Sequence, residues 1–223
     1  MLARRLFIIS GLIIVSSMVL YFVISSIKNI KVDNFKPASI IFLIDSSASN
    51  QAKINPQKKY IKQLCSTLDP EDKIKIIKVS EDAYLIYEGS PQDTSGINKS
   101  LNSFTKFSPN DKGTAYGEAV KKAMAHCMTM KKNGYVPAIV IIGDLENEGA
   151  SAKQINWDTL PSNVRKTMKY TPDLTLMFLW AHPSKLDFVK GKLNSVLGEE
   201  HLILATEETV DKVSGKFFKA LGR

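Results

Sequence analysis

The sequence is short of the side chains that usually carry redox, soft-metal or nucleophilic chemistry. It holds two cysteines and three histidines in 223 residues. Cys65 and Cys127 form no Cys-x-x-Cys pair and have no histidine at metal-ligand spacing, which argues against a zinc or thiol-redox centre. His126, His182 and His201 lie in separate stretches, and none joins a serine or cysteine in a nucleophile motif, which argues against a hydrolytic triad. There is no arginine-rich run interleaved with aromatics. Lysines are instead scattered in pairs at 58–59, 121–122 and 131–132. The formal net charge is +8; without Arg4 and Arg5 it is 28 basic against 22 acidic residues, or +6. That distribution describes a lysine-covered surface, and no nucleic acid is expected as a partner. Internal repeats and low-complexity tracts are absent as well.

What is present is ordinary for a folded chain: 44% hydrophobic and 23% charged residues. One hydrophobic run stands apart. Residues 6–27 (LFIISGLIIVSSMVLYFVISSI) carry no charge and follow Arg4 and Arg5. A membrane-spanning helix needs about 20 mainly apolar residues, whereas the apolar part of a cleaved signal is nearer 7–15. The run is therefore expected to be an uncleaved, single-pass transmembrane signal anchor, preceded by a short tail at 1–5. The basic residues before it favour an internal N-terminus, with the C-terminal domain on the extracytoplasmic side. Lys28, Lys31 and Lys36 pull the other way. Residues 28–37, ending in Pro37, read as a tether, leaving 38–223 for one domain of ordinary size.

Within 38–223, apolar runs alternate with helical patterns. Buried strands are expected at 39–44 (SIIFLI), 137–142 (PAIVII) and 174–180 (LTLMFLW), with a shorter strand at 201–205. Residues 73–79 and 83–88 flank the tight Ser80-Glu81-Asp82 connection and read as an antiparallel hairpin, with one face of 73–79 wet. Helices are expected at 55–68, 95–104, 115–131, within 152–168, at 184–197 and at 207–221. Cys65 and Cys127 fall on apolar helical faces, as buried thiols do. The whole pattern predicts an α/β three-layer sandwich: a mainly parallel central sheet of about six strands with one antiparallel edge strand. Ligands of such sheets gather at the carboxyl ends of the strands.

Three polar clusters fall where a buried strand ends or a helix begins. They are Asp45-Ser46-Ser47-Ala48-Ser49 after SIIFLI, Gly113-Thr114-Ala115-Tyr116-Gly117 at a helix start, and Gly143-Asp144-Leu145-Glu146 after PAIVII. Their side chains are hard oxygen donors, which suit Mg²⁺, Mn²⁺ or Ca²⁺ rather than zinc. Two carboxylates offset the cation's charge while hydroxyls add none, so the metal remains an acceptor for an outside carboxylate. Asp111, Glu146 and Glu148 read as turn-forming or solvated residues near these clusters.

The order and spacing Asp45-x-Ser47-x-Ser49, then Thr114 in Gly-Thr-x-x-Gly, then Asp144 after a buried strand, resembles the metal-ion-dependent adhesion site of von Willebrand factor A domains. That resemblance spans roughly residues 37–221. It implies a Rossmann-like sheet, a metal held by Asp45, Ser47, Ser49, Thr114 and Asp144, and a protein partner that offers an acidic side chain. It implies no enzymatic activity. By the family's topology, Cys65 and Cys127 sit on opposite faces of the sheet and form no bridge. This chain departs from the pattern at Gly143 and Leu145, where Thr-Asp-Gly is frequent, and at Tyr116 and Glu118, where smaller residues are common. An aspartate after the first strand also resembles the haloacid-dehalogenase phosphotransfer enzymes. Those carry Asp-x-Asp, and Ser47 at the second position lacks the general acid/base. A structural domain with an empty metal site is the third possibility.

Overall fold

The computed structural model describes residues 36–103, 113–145 and 153–223. The anchor expected at 6–27, the tail at 1–5, and Asp111, Glu146 and Glu148 lie outside the described residues, as does the tether before Lys36. Among the described residues no helix is long and apolar enough to cross a membrane.

Among the described residues six strands form one sheet. They are β1 (Ala38–Asp45), β2 (Lys73–Val79), β3 (Ala83–Gly89), β4 (Val136–Ile142), β5 (Thr175–Leu179) and β6 (Leu202–Ala205), in the order β3-β2-β1-β4-β5-β6. Every pairing is parallel except β2 with β3, so the expected antiparallel strand is at one edge. β1 and β4 are buried at every position, which is why they read as unbroken apolar runs. Among the described residues six α-helices cover the sheet: α1 (Ile54–Ser66), α2 (Thr94–Ser103), α3 (Tyr116–Lys132), α4 (Leu160–Met168), α5 (Pro183–His201) and α6 (Ser214–Ala220).

Strand alternation divides the core into two layers. Ile40, Phe42 and Ile44 of β1 face a cluster with residues from α1, α2 and α6. Ile41 and Leu43 face the opposite cluster, with residues from α3, α4 and α5. The three-layer sandwich follows from this period of two. The face of β2 expected to be wet is only partly so: α3 packs near Ile77 and Val79, while Lys75 stays partly exposed and pairs with Glu88 at 3.0 Å.

One helix differs from expectation and two fall where expected, each for a local reason. The stretch 207–221 is not one helix. Thr206 N donates to Thr209 Oγ1 (3.0 Å), which holds 206–209 as a turn, and a 3₁₀ turn at Val210–Lys212 precedes α6. In 152–168 the helix begins only at Leu160. The Asn156 side chain accepts the N–H groups of Asp158 and Thr159, and Pro161 sits in the first turn. The helix expected over 184–197 does break there: Gly198 takes a φ of 71°, and helical structure resumes to His201.

At the end of the sheet where β1 begins, Asp72 is fully buried and accepts from Ala38 N (2.7 Å), Asp69 N (2.8 Å) and the guanidinium of Arg223 (2.5 Å). Arg223 also reaches Asp69 at 3.2 Å. One carboxylate thus ties the start of β1, the loop after α1 and the residues beyond α6.

Cys65 belongs to one core cluster and Cys127 to the other, and both are free thiols. Burial pushes each thiol up to about 12. The reactive species is the thiolate, so at pH 8 the folded protein should resist iodoacetamide at both positions. Intact-mass analysis should show no adduct in native buffer and two after denaturation; rapid native labelling of either thiol would contradict the packing.

Candidate metal site

Asp45 closes β1, and Asp144 follows β4 by two residues. Ile44 stands opposite Ile142 in the parallel register, so both aspartates emerge at the same edge of the sheet. The chain leaves β1 toward β2 on one side while β4 flanks β1 on the other. This is the switch in strand order where α/β sheets hold ligands.

The segment after β1 is tightly held. Ser46 directs both its N–H (2.9 Å) and its hydroxyl (3.1 Å) to the carbonyl of Val79, at the end of neighbouring β2. Ser47 N donates to Asp45 Oδ1 (2.7 Å), which folds the chain back over the carboxylate. That turn brings the hydroxyls of Ser47 and Ser49 within 3.0 Å of each other. Asn50 and Gln57, both buried, exchange reciprocal side-chain hydrogen bonds of 2.8 and 2.9 Å, and Asn50 also donates to the carbonyl of Asp45 (2.7 Å). A buried amide pair left half-satisfied costs about 1–3 kcal/mol, so this clasp fixes the loop to α1. Sequence reasoning missed Asn50 and Gln57. Their seven-residue separation straddles a 3₁₀ turn and carries no motif.

Thr114 arrives from the other side. Ala115 N donates to Ser80 O (2.6 Å), which pins the start of α3 to the end of β2, and β2 ends beside Asp45. Thr114 is 3% exposed, and its Oγ1 has no hydrogen-bond partner among the described residues. Such an atom is uncommon, because buried hydroxyls are nearly always satisfied. Asp45 and Ser47 are fully buried, Asp144 is 9% exposed and Ser49 is exposed. Of the predicted donors, then, four are buried and Ser49 alone is exposed.

Tyr116, two residues after Thr114, links the two carboxylates. It is buried, and its hydroxyl donates to Ile142 O (3.1 Å). Burial, the charge of Asp45, then that of Asp144, and a hydrogen bond with Asp45 push this phenol well above its ordinary range. Both carboxylates thus act on one oxygen. The same oxygen explains Gly143: a Cβ there would lie 2.0 Å from Tyr116 Oη and 2.6 Å from Asp45 Cβ, and the residue has a φ of +155°. Leu145, where the resemblance leads one to expect glycine, adopts a φ of 63° while burying its side chain in the core layer of α3 and α5. A left-handed non-glycine residue costs about 1–2 kcal/mol. Burying a leucine returns about as much or more, so the loop after Asp144 starts out anchored. Glu118 is engaged with Lys122 on the next turn (2.6 Å).

Among the described residues no three His, Cys, Asp or Glu side chains cluster as a metal site. Any cation here must rely on hydroxyl oxygen beside the two carboxylates. The donor chemistry fits a hard cation, and the unsatisfied Thr114 hydroxyl is the kind of atom such an ion would satisfy.

Residues 40–147 match the sequence profile of the von Willebrand factor type A domain. No curated protein matches the sequence. Similar solved structures include the conserved hypothetical protein BatB from Bacteroides thetaiotaomicron, 17% identical with a TM-score of 0.57, covering 83% of this chain and 100% of that one. A von Willebrand factor type A protein from Catenulispora acidiphila is 14% identical with a TM-score of 0.59, over 84% of this chain and 43% of that one. Proximal thread matrix protein 1 from the mussel byssus, described with a zinc-occupied adhesion-site motif, is 11% identical with a TM-score of 0.56, over 83% and 48%. This chain thus spans under half the length of the last two proteins. At these identities the likeness establishes the fold, which is that of a von Willebrand factor type A domain.

Proposed function

We propose that this von Willebrand factor A-type domain binds a protein partner through one divalent cation, Mg²⁺ or alternatively Mn²⁺ or Ca²⁺, held by Asp45, Ser47, Ser49, Thr114 and Asp144. The observation that carries the reading is the buried, unsatisfied hydroxyl of Thr114 at the sheet edge that also bears both aspartates and the paired Ser47 and Ser49 hydroxyls. A bound cation supplies Lewis acidity toward an oxygen ligand from outside. The carboxylates of Asp45 and Asp144 balance its charge, and the neutral serine and threonine hydroxyls leave it able to accept an acidic side chain of the partner. Access runs past exposed Ser49. The mussel protein described with zinc in its motif is consistent with a divalent ion in this fold.

The domain is a binding module rather than an enzyme in this reading. Ser47 occupies the place where a phosphotransfer enzyme of the haloacid-dehalogenase kind would need its acid/base. The uncharged run at 6–27 serves as a single-pass anchor and holds the domain on the extracytoplasmic side.

Thermal unfolding in EDTA against millimolar Mg²⁺, Mn²⁺ or Ca²⁺ tests the site directly. A cation that binds only the folded state must raise the melting temperature, and the rise should grow with cation concentration. A melting temperature indifferent to all three ions would instead identify a structural domain without a working metal site.

A further inference from the structure

Tyr116 is unusual in placing a phenolic oxygen where main chain and carboxylates crowd together. Its hydroxyl donates to the carbonyl of Ile142 at 3.1 Å and sits beside the Asp45 carboxylate: the Cβ position of Gly143, 2.0 Å from this oxygen, is 3.0 Å from Asp45 Oδ2. The oxygen also fills the space beside Gly143 Cα, 2.0 Å from the position of an added Cβ, so residue 143 has no room for a polar side chain of its own. The oxygen lies close enough to Asp144 to feel its charge as well. Asp45 Oδ1 is already held by Ser47 N at 2.7 Å. The Tyr116 oxygen, itself fixed by the Ile142 carbonyl, borders the other carboxylate oxygen across the gap at Gly143. One turn of α3, begun by the Ala115 N–H bond to Ser80 O, sets where Tyr116 sits.

We infer that Tyr116 is a positioning residue for the cation site: its hydroxyl, delivered from the start of α3 into the gap at Gly143, orients the Asp45 carboxylate for metal binding. The inference rests on the metal-site reading above and adds to it a residue that does not itself touch the ion. It also ties positions 116 and 143 together, since the hydroxyl at one occupies the volume denied to the other. Partners that orient a metal's ligands typically change affinity 10–100-fold when removed.

The test compares Mn²⁺ binding by calorimetry in the wild-type chain and in Tyr116→Phe, together with the melting temperature of each in EDTA. The expected result is a dissociation constant raised about tenfold or more in Tyr116→Phe, with the EDTA melting temperatures close to each other. A residue acting only in packing would not move the affinity while leaving metal-free stability in place. Equal Mn²⁺ affinity in the two proteins overturns the inference and leaves the metal site standing. Absence of Mn²⁺ binding by the wild-type chain overturns the metal-site reading and this inference with it. Should the phenylalanine variant not fold, 3,5-difluorotyrosine at position 116 keeps the ring and its hydroxyl but alters the hydroxyl's strength as a donor. Its dissociation constant must then differ from that of the wild type, and an unchanged value overturns the inference.

Discussion

Asp144→Asn should abolish the thermal stabilisation that a divalent cation gives the wild-type domain. With the cation at a hundredfold excess over its dissociation constant, the wild type gains about 2.7 kcal/mol. For a domain of this size that is roughly 5–11 °C in melting temperature. The asparagine keeps the shape of the side chain and removes the charge that balances the ion. The informative part is the sign in EDTA. Asp45 and Asp144 are both buried at the same edge of the sheet, and the charge of each bears on the Tyr116 hydroxyl. Neutralising one should leave the metal-free protein at least as stable as the wild type. Sites kept for function at the expense of stability behave in this way. If Asp144→Asn melts well below the wild type in EDTA, Asp144 is a structural carboxylate and the site has been misread.

The opposite end of the sheet should show the reverse behaviour, a large loss with no cation dependence. Asp72→Ala removes the acceptor of the Ala38 and Asp69 N–H groups and the main counter-charge of Arg223, whose side chain is 10% exposed. Breaking one partner out of a buried ion pair costs about 3–5 kcal/mol, because the surviving charge stays desolvated. The Asp69 carboxylate at 3.2 Å still offers Arg223 some compensation, which places the expectation near the lower figure. Urea unfolding should show that drop equally in EDTA and in Mn²⁺. Moreover, Arg223→Met should be milder than Asp72→Ala, since it removes the charge instead of stranding it. Equal losses from both changes would mean that the backbone bonds, not the ion pair, carry the energy.

The sheet was legible because β1, β4 and β5 are buried on both faces and so are written as continuous apolar runs, while the lysines of β2 marked its position toward an edge. The separation of Cys65 and Cys127 followed from the topology that the family resemblance implied. Helix ends were less legible, since they depend on single side chains that compete with the helix: Asn156 before α4, and Thr209 before α6. The candidate site divides in the same way. Asp45, Ser47 and Ser49 are local in sequence and fall on one turn, and the strand ends bring Asp144 to the same edge. What could not be read was the packing between distant residues. Gly143 looks like the loss of a helpful hydroxyl until Tyr116, 27 positions earlier, is seen to fill its space. Leu145 looks like the loss of a flexible residue until its side chain is found in the core. Asn50 and Gln57 belong to no motif, yet they lock the loop that follows Asp45.

The placement of the proposed ligands on β1 has a mechanical consequence. The domain's chain enters at Ala38 and reaches Asp45 along one eight-residue strand, roughly 23 Å at the usual rise. A load applied at residue 38 and resisted by a partner seated at Asp45 would run lengthwise through this strand. β1 is flanked on each side by a parallel ladder of seven paired residues. Tension in that direction shears both ladders together instead of peeling one bond at a time, so the domain would grip under pull with the strongest part of its sheet.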